Sequence, residues 1–408
     1  MTKAVRLAVA VAFVLAATTA QATNGMRMIG FGPVQDSMGG VGVGATLDSS
    51  AMVSNPAGLP ELGRRLDFAG QWFKPTVSYN ATGSAPAMFV GKDGATLDSN
   101  RGGSPIPAIA VVTPLTEQLT VGVGVFGVAG MGVDYAANLY GGPTYTSYLQ
   151  GRLTPSVAYK LNDMISAGVT VNAMMAQMKY DVAGGFGQVT HDTTSSLGVG
   201  ATFGVKVTPV KMLSIGAAYE TKSWFQDFAF KVQSGTDKLT FNQPQSATVG
   251  VAVTPLEMLL VAADVEWINW SSTMGKDLPK YSVNTGALPF NMNWSDQWVM
   301  KVGAQVSPLK SLQIRAGYNY GKMPLDPNRA FENMAFPAVA QHHVTGGLGY
   351  QLSQSLALNV SGMYALNAKL TGANAPFPNP DGSGGQGIKD YTTQMSQFEI
   401  DAGVAYRF

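Results

Sequence analysis

The chain is written in short alternations of apolar and polar residues. Trp298, Met300, Val302, Ala304 and Val306 alternate with Gln297, Lys301 and Gln305, and Leu312, Ile314, Ala316, Tyr318 and Tyr320 alternate with Gln313, Arg315 and Asn319. A period of two is that of a strand with one apolar and one polar face. Leu149, Leu153, Val157 and Tyr159 likewise alternate with Gln150, Arg152, Ser156 and Lys160, and Phe68 and Trp72 oppose Asp67 and Gln71 in a first strand expected over Leu66 to Tyr79. Short polar or proline-bearing turns sit within 111–119, 160–164, 207–213, 253–259, 306–312 and 352–356. They recur roughly every fifty residues, an internal period. Between them lie longer stretches rich in Gly, Pro, Asn and Asp, at 81–104, 132–147, 179–194, 226–243, 274–293, 324–340 and 371–395, expected to be loops.

Six tight turns join twelve strands, and the first and last strands bring the count to fourteen, an even number that closes a sheet. Tight turns at one rim and long loops at the other are the build of an outer-membrane barrel. The predicted fold is therefore all-β, a 14-stranded antiparallel transmembrane β-barrel. Its charged face should look inward, because a Lys or Arg facing lipid at mid-depth costs roughly 2–4 kcal/mol. Arg152, Asp264, Glu266, Lys301, Arg315, Glu399, Asp401 and Arg407 are accordingly expected in the lumen, paired around whatever fills it.

Residues 30–59 keep neither the helical nor the strand period. Gly39, Gly40, Gly42 and Gly44 allow the backbone there to pass close to a wall, and Asn55-Pro56 starts a turn. A segment this apolar and irregular needs cover for its side chains and partners for its backbone. It is expected to plug the barrel.

The ends of the chain agree with that picture. Lys3 and Arg6 precede an apolar run from Leu7 to Ala17, and Ala20-Gln21-Ala22 has the small-x-small pattern of a cleavage site. Residues 1–22 are thus expected to be a signal peptide, 23–62 the plug and 63–408 the barrel. At the other end Phe398, Ile400, Ala402, Val404, Tyr406 and Phe408 alternate with Glu399, Asp401, Gly403, Ala405 and Arg407. That ending resembles the C-terminal signal of bacterial outer-membrane barrels. It implies the outer membrane of a Gram-negative bacterium, contact with outer-membrane lipid, and a barrel-assembly machinery that reads Phe408.

Composition narrows the chemistry. Charged residues are 12% of the chain, Gly numbers 48 and aromatics are 10%, a profile of strands that face lipid. A net charge of +1 with no Lys/Arg cluster excludes a nucleic-acid surface. With no Cys and three His there is no thiolate metal site, and His342 and His343 point to opposite faces of a strand. Asn379, Asp381 and Asp390 do not have the spacing of a calcium loop. Gly40-Val41-Gly42-Val43-Gly44 lacks the residues of a nucleotide loop, and no G-x-S-x-G is present. No enzyme activity, cofactor or metal is expected.

Apolar residues on faces that should be wet are more informative. Phe126, Val128, Met174 and Met178 fall on inward positions toward the long-loop end, where they either hold an apolar ligand or pack on the plug. Gly122, Gly124, Gly127, Gly130 and Gly132 in one strand mark a bulge or bend. A wall that bends there could leave a sideways exit for an apolar solute, which water would not accept.

Met38-Gly39-Gly40-Val41-Gly42, Asp48-Ser49-Ser50-Ala51 and Asn55-Pro56-Ala57-Gly58-Leu59, followed by a repeat-built barrel ending in Phe408, resemble the FadL/TodX family of outer-membrane transporters for hydrophobic compounds. The resemblance implies a barrel closed by an N-terminal hatch that includes Gly39, Gly40, Asn55, Pro56 and Ala57. It implies an inner pocket lined by residues 23–31, Met26, Met28 and Phe31 among them, and a lateral gate at Gly127, Gly130 and Gly132. Long-chain fatty acids or hydrocarbons would diffuse passively through a protein expected to be a monomer. The rival reading is a non-specific porin, which would have an open lumen, or a structural outer-membrane barrel.

Overall fold

The structure, a computed structural model, describes residues 23–82, 96–136, 143–184, 187–232, 235–276, 278–282, 292–330, 333–375 and 388–408. The expected signal peptide lies outside them, as do Asn379 and Asp381. Fourteen strands close a barrel: β1 (Arg65–Thr82), β2 (Ser104–Pro114), β3 (Leu119–Met131), β4 (Thr144–Leu153, continued by Ser156–Lys160), β5 (Ile165–Gly184), β6 (Gly187–Val210), β7 (Leu213–Glu220), β8 (Ser246–Leu256), β9 (Leu259–Ile268), β10 (Gln297–Leu309), β11 (Leu312–Gly321), β12 (His342–Gln351), β13 (Leu356–Ala375) and β14 (Ile388–Arg407). Each pairs antiparallel with the next. β14 closes on β1 in an unbroken register from Arg65↔Arg407 to Thr82↔Asp390.

The period-two pattern places side chains as expected. Phe68, Trp72, Trp298, Met300, Leu348 and Ile400 stand on the outer face, exposed by about half or more of their surface. So much apolar surface in one band is suited to lipid rather than water. The tight turns fall where the repeats place them, as at Leu115–Gln118, closed by the Leu115 and Thr116 N–H groups donating to Leu119 O.

Three loop expectations are corrected. Within 179–194 and 371–395 the described residues continue the β5–β6 ladder to Gly184↔Gly187 and the β13–β14 ladder to Ala375↔Ile388. Residues 226–243 form two strands, Phe228–Val232 and Gly235–Thr240, that make a small separate sheet with Lys280–Ser282. Backbone pairing does not require an apolar face, so strand continues where the sequence turns polar. Leu149, expected toward lipid, is buried. Arg101 lies across that part of β4, donating to Thr146 O at 2.9 Å and Ser147 Oγ at 2.8 Å. Arg407 is exposed at the tight-turn rim rather than lumenal, because it stands at the last residue of β14.

Residues 23–62 lie inside the barrel, nearly all of them buried. They contain two single-turn helices, α1 (Pro33–Asp36) and α2 (Ala51–Ser54), and a 3₁₀ turn over Pro56–Glu61. The Asn55 side chain accepts from Ala57 N–H at 3.2 Å, capping that turn, and donates to Val43 O at 2.9 Å and to Val205 O on β6 at 3.2 Å. An open, porin-like lumen is thereby excluded.

Candidate functional site

The hatch is seated backbone to backbone. A Cβ on Gly216 of β7 would come within 1.9 Å of Val43 O, one on Gly303 of β10 within 2.4 Å of Met38 O, and one on Gly317 of β11 within 2.1 Å of Gly39 N. Gly168 on β5 and Gly250 on β8 meet the backbone of Pro56 and Gly44 in the same way, and Gly204 on β6 meets the Asn55 side chain at Oδ1. These six glycines form three cross-strand pairs, Gly168↔Gly204, Gly216↔Gly250 and Gly303↔Gly317. The wall thus has a girdle of inward glycines at one depth, and the plug fills it. On the plug side Gly39 and Gly40 take φ of 70° and 80°, which a side chain would resist. The N–H groups of Gly42, Val43 and Gly44 point at the carboxylate of Asp264, at 2.8, 3.1 and 3.4 Å. The loop that superficially suits a phosphate therefore cradles an anion of its own barrel. Ala57 O accepts from Ser166 Oγ at 2.7 Å.

Above the hatch the wall unzips. The β2–β3 ladder runs from Pro114↔Thr120 only as far as Ala108↔Phe126, while β2 stays paired with β1 through Phe73↔Ser104. Pro105 and Pro107 supply the reason. They lack N–H groups at alternate positions and hence on one edge. Since the β1 ladder passes both prolines, the bare edge is the one turned to β3. On the β4 side β3 bulges, its register shifting between Gly127 and Ala129.

The β3 edge that β2 leaves is bonded from inside the lumen. Met28 N–H donates to Val128 O at 3.1 Å, Gly130 N–H donates to Met26 O at 3.0 Å, and Arg27 bridges Ala129 as an antiparallel partner. Residues 26–28 therefore act as a short surrogate strand. A network of charges holds them. Arg27 pairs with Glu220 on β7 and, at 3.5 Å, with Glu266 on β9; Arg152 on β4 pairs with Glu220, and Lys301 on β10 with Glu266 at 2.9 Å. Burial alone would lower the Arg27 pKa, but the two glutamates hold it above its ordinary value. Of the expected lumenal charges, Arg315 instead bonds Gln305 and Asn359, and Glu399 and Asp401 lie beside hatch Asp36.

The apolar residues expected at the site separate into two groups. Met26, Met28, Met174 and Met178 share one cluster with Ile106, Tyr148, Trp270 and Phe336 on the long-loop side. Phe126 and Val128 instead pack with Met52, Leu59 and Leu62 of the hatch, the plug-packing role foreseen as the other possibility. Phe31 touches both groups. Of the three glycines expected at a lateral gate, Gly127 faces Ile106 of β2, where a Cβ would lie 2.3 Å from Ile106 Cγ2. Gly130 bonds the N-terminal segment, and Gly132 packs on the backbone of Thr146. Pro105, Pro107, Arg27 and Glu220 escape a reading based on faces. Alternate prolines in a strand were the legible sign of an open edge.

Comparison with known proteins follows these contours. The sequence pattern described as Outer membrane protein transport protein (OMPP1/FadL/TodX) matches residues 7–408. No curated protein sequence matches the chain. The crystal structure of the Pseudomonas putida toluene transporter TodX superposes with a TM-score of 0.73 at 18% identity, covering 93% of this chain and 99% of TodX. The Ralstonia pickettii toluene transporter TbuX gives 0.68 at 19% identity, covering 93% and 98%. A Pseudomonas aeruginosa FadL homologue gives 0.73 at 17% identity, covering 94% and 100%. At such identities the likeness is one of fold. The family assignment rests on the sequence pattern, which spans nearly the whole chain: the protein belongs to the OMPP1/FadL/TodX family of outer-membrane transport proteins.

Proposed function

We propose that the protein takes up hydrophobic compounds by passive diffusion and releases them sideways through its wall into the outer membrane. We infer also that residues 1–22 are removed as a signal peptide, that 23–62 form the hatch and 63–408 the barrel, and that a monomer is assembled by machinery reading Phe408. The observation that carries the transport reading is the end of the β2–β3 ladder at Ala108↔Phe126, with the freed β3 edge bonded instead to Met26 and Met28. Met26, Met28, Met174 and Met178 line the route, and Ile106 and Gly127 frame its exit. Methionine adapts to ligands of varied shape.

Among hydrophobic compounds, neutral hydrocarbons fit better than fatty acids. Arg27, Arg152 and Lys301 are already matched with Glu220 and Glu266, so a carboxylate head group would have to displace a buried ion pair. Rings line the cluster, with Tyr148 and Phe241 centroids 4.9 Å apart and Trp270 and Trp294 5.0 Å apart. TodX and TbuX are described as toluene transporters and CymD as a monoaromatic hydrocarbon channel, which supports the same choice.

The test is uptake of labelled toluene and oleate by cells carrying the protein or its Gly127→Leu variant. The side chain would close the gap against Ile106, and toluene uptake should fall by roughly tenfold, a barrier of about 1.4 kcal/mol. Uptake equal to the parent would end the wall-exit reading. A large steady current in planar bilayers would favour a porin instead.

A further inference from the structure

Where β14 meets β1, three carboxylates converge inside the barrel. Asp36 comes from α1, and Glu399 and Asp401, two residues apart, come from the inner face of β14; each offers an oxygen, and these lie within 4.8 Å of one another. All three side chains are buried. Asp36 Oδ2 accepts from Gly32 N–H at 2.9 Å and from Gln71 Nε2 at 2.6 Å, and Asp401 Oδ2 accepts from Ser361 Oγ at 2.5 Å. The remaining oxygens, Asp36 Oδ1 and Asp401 Oδ1, accept no hydrogen bond. Glu399 is the sharper case. It is wholly buried, no amide or hydroxyl donates to either of its oxygens, and it is set against the Asp401 carboxyl. None of the ion pairs among the described residues includes any of the three.

Buried carboxylates are kept where they are paired, hydrogen-bonded or bound to a metal. Here pairing is absent and hydrogen bonding covers two of six oxygens. We propose that Asp36, Glu399 and Asp401 bind one hard divalent cation, calcium, which fastens the hatch helix to the closing seam of the barrel.

The donor set selects the class of ion. All donors are oxygens, with no His or Cys, which excludes a soft-metal site. Calcium takes carboxylate oxygens at ~2.3–2.6 Å, so ligands on opposite sides of it lie about 5 Å apart, and three oxygens that all lie within 4.8 Å of one another can share such an ion. Magnesium demands near-ideal octahedral geometry at ~2.0–2.1 Å and keeps several waters, a poorer match to a cage of buried side chains. The ion's place gives it a task. Its ligands come from hatch and wall, so binding would tie α1 to β14 at the point where the last strand meets the first.

The experiment uses the full-length protein folded in detergent, stripped with EDTA and titrated with calcium chloride. The expected result is one calcium per chain by calorimetry and elemental analysis, with slower hydrogen exchange at the Gly32 and Asp36 amides. Glu399→Gln and Asp36→Asn should each weaken binding at least tenfold. Asp36→Asn changes the hatch and leaves every barrel strand intact, so it keeps the test decisive if Glu399→Gln fails to fold, as judged by heat-modifiable mobility on a gel. Absence of stoichiometric calcium binding by the parent, or binding unchanged in Asp36→Asn, would overturn the proposal. So would hatch protection that follows pH and ignores calcium, which would assign these oxygens a shared proton.

Discussion

The two ends of the hatch are held in different ways. From Pro33 to Leu62 it is wedged against glycines of the wall, with Val43, Met38 and Gly39 backbone atoms where a Cβ of Gly216, Gly303 or Gly317 would be. From Asn24 to Met28 it is held by two ladder hydrogen bonds to β3 and by Arg27. Close packing cannot be released by degrees, because interiors are as dense as organic crystals. Hydrogen bonds and ion pairs can be exchanged for other partners at modest net cost. In the proposed uptake, which must seal water yet pass oil, the wedged segment is the part that stays and the hydrogen-bonded segment the part that yields.

The largest effect should come from breaking the wedge. Gly216→Leu forces a side chain onto Val43 O, an obstacle of backbone that no rotamer change relieves. Overpacking costs about 1–3 kcal/mol even where neighbours can shift. The hatch should leave its seat, and single-channel conductance in planar bilayers should rise from near zero to porin-like values. A variant that stays sealed would show that the girdle is not what seats the hatch.

Next in size is Asn55→Ala, which deletes the cap on Ala57 N–H and the bonds to Val43 O and Val205 O. Loss of a cap costs about 1–2 kcal/mol. Proteolysis of the hatch in the folded barrel should accelerate accordingly, with the barrel itself unaltered.

Arg27→Ala probes the yielding end. Glu220 keeps Arg152 and Glu266 keeps Lys301, so the wall should stay intact while residues 24–28 loosen. Hydrogen exchange at the Met28 and Gly130 amides should quicken by roughly tenfold, about 1.4 kcal/mol of local opening, while the amides of 42–44 stay protected. Equal loosening at both ends would erase the distinction drawn here.

The smallest effect is expected from Pro105→Ala combined with Pro107→Ala. It restores two donors to the edge of β2 that faces β3, each worth about 1 kcal/mol at most if it finds an acceptor. A partly zipped wall should reduce toluene uptake two- to threefold, and unchanged uptake would mean that the prolines do not keep the gap open.

Much of this was legible in the chain, for identifiable reasons. Trp298 to Val306 and Leu312 to Tyr320 announce their faces because a membrane barrel wall has oil on one side and water or a polar plug on the other, so period two is enforced at each step. The plug was legible by the failure of any period from residue 30 to 59. The apolar lumen residues were found, but not their allegiance. Phe126 packs with the hatch and Met174 with the long-loop side, though they occupy equivalent inward positions on their strands. Polarity misled at 179–194, where the backbone ladder carries on without an apolar face.

What the sequence determines by itself is the number of wall strands, the two faces of most of them and the presence of a stopper, because each rests on neighbours within a few residues. What only the tertiary structure decides is which inward glycines receive the plug, which acid finds a cation, and where the wall stays unzipped. Gly216 and Val43, or Asp36 and Glu399, are far apart in the chain, and what joins them is the closure of the barrel around its own N-terminus. No local pattern records a contact that exists only once the ring is complete.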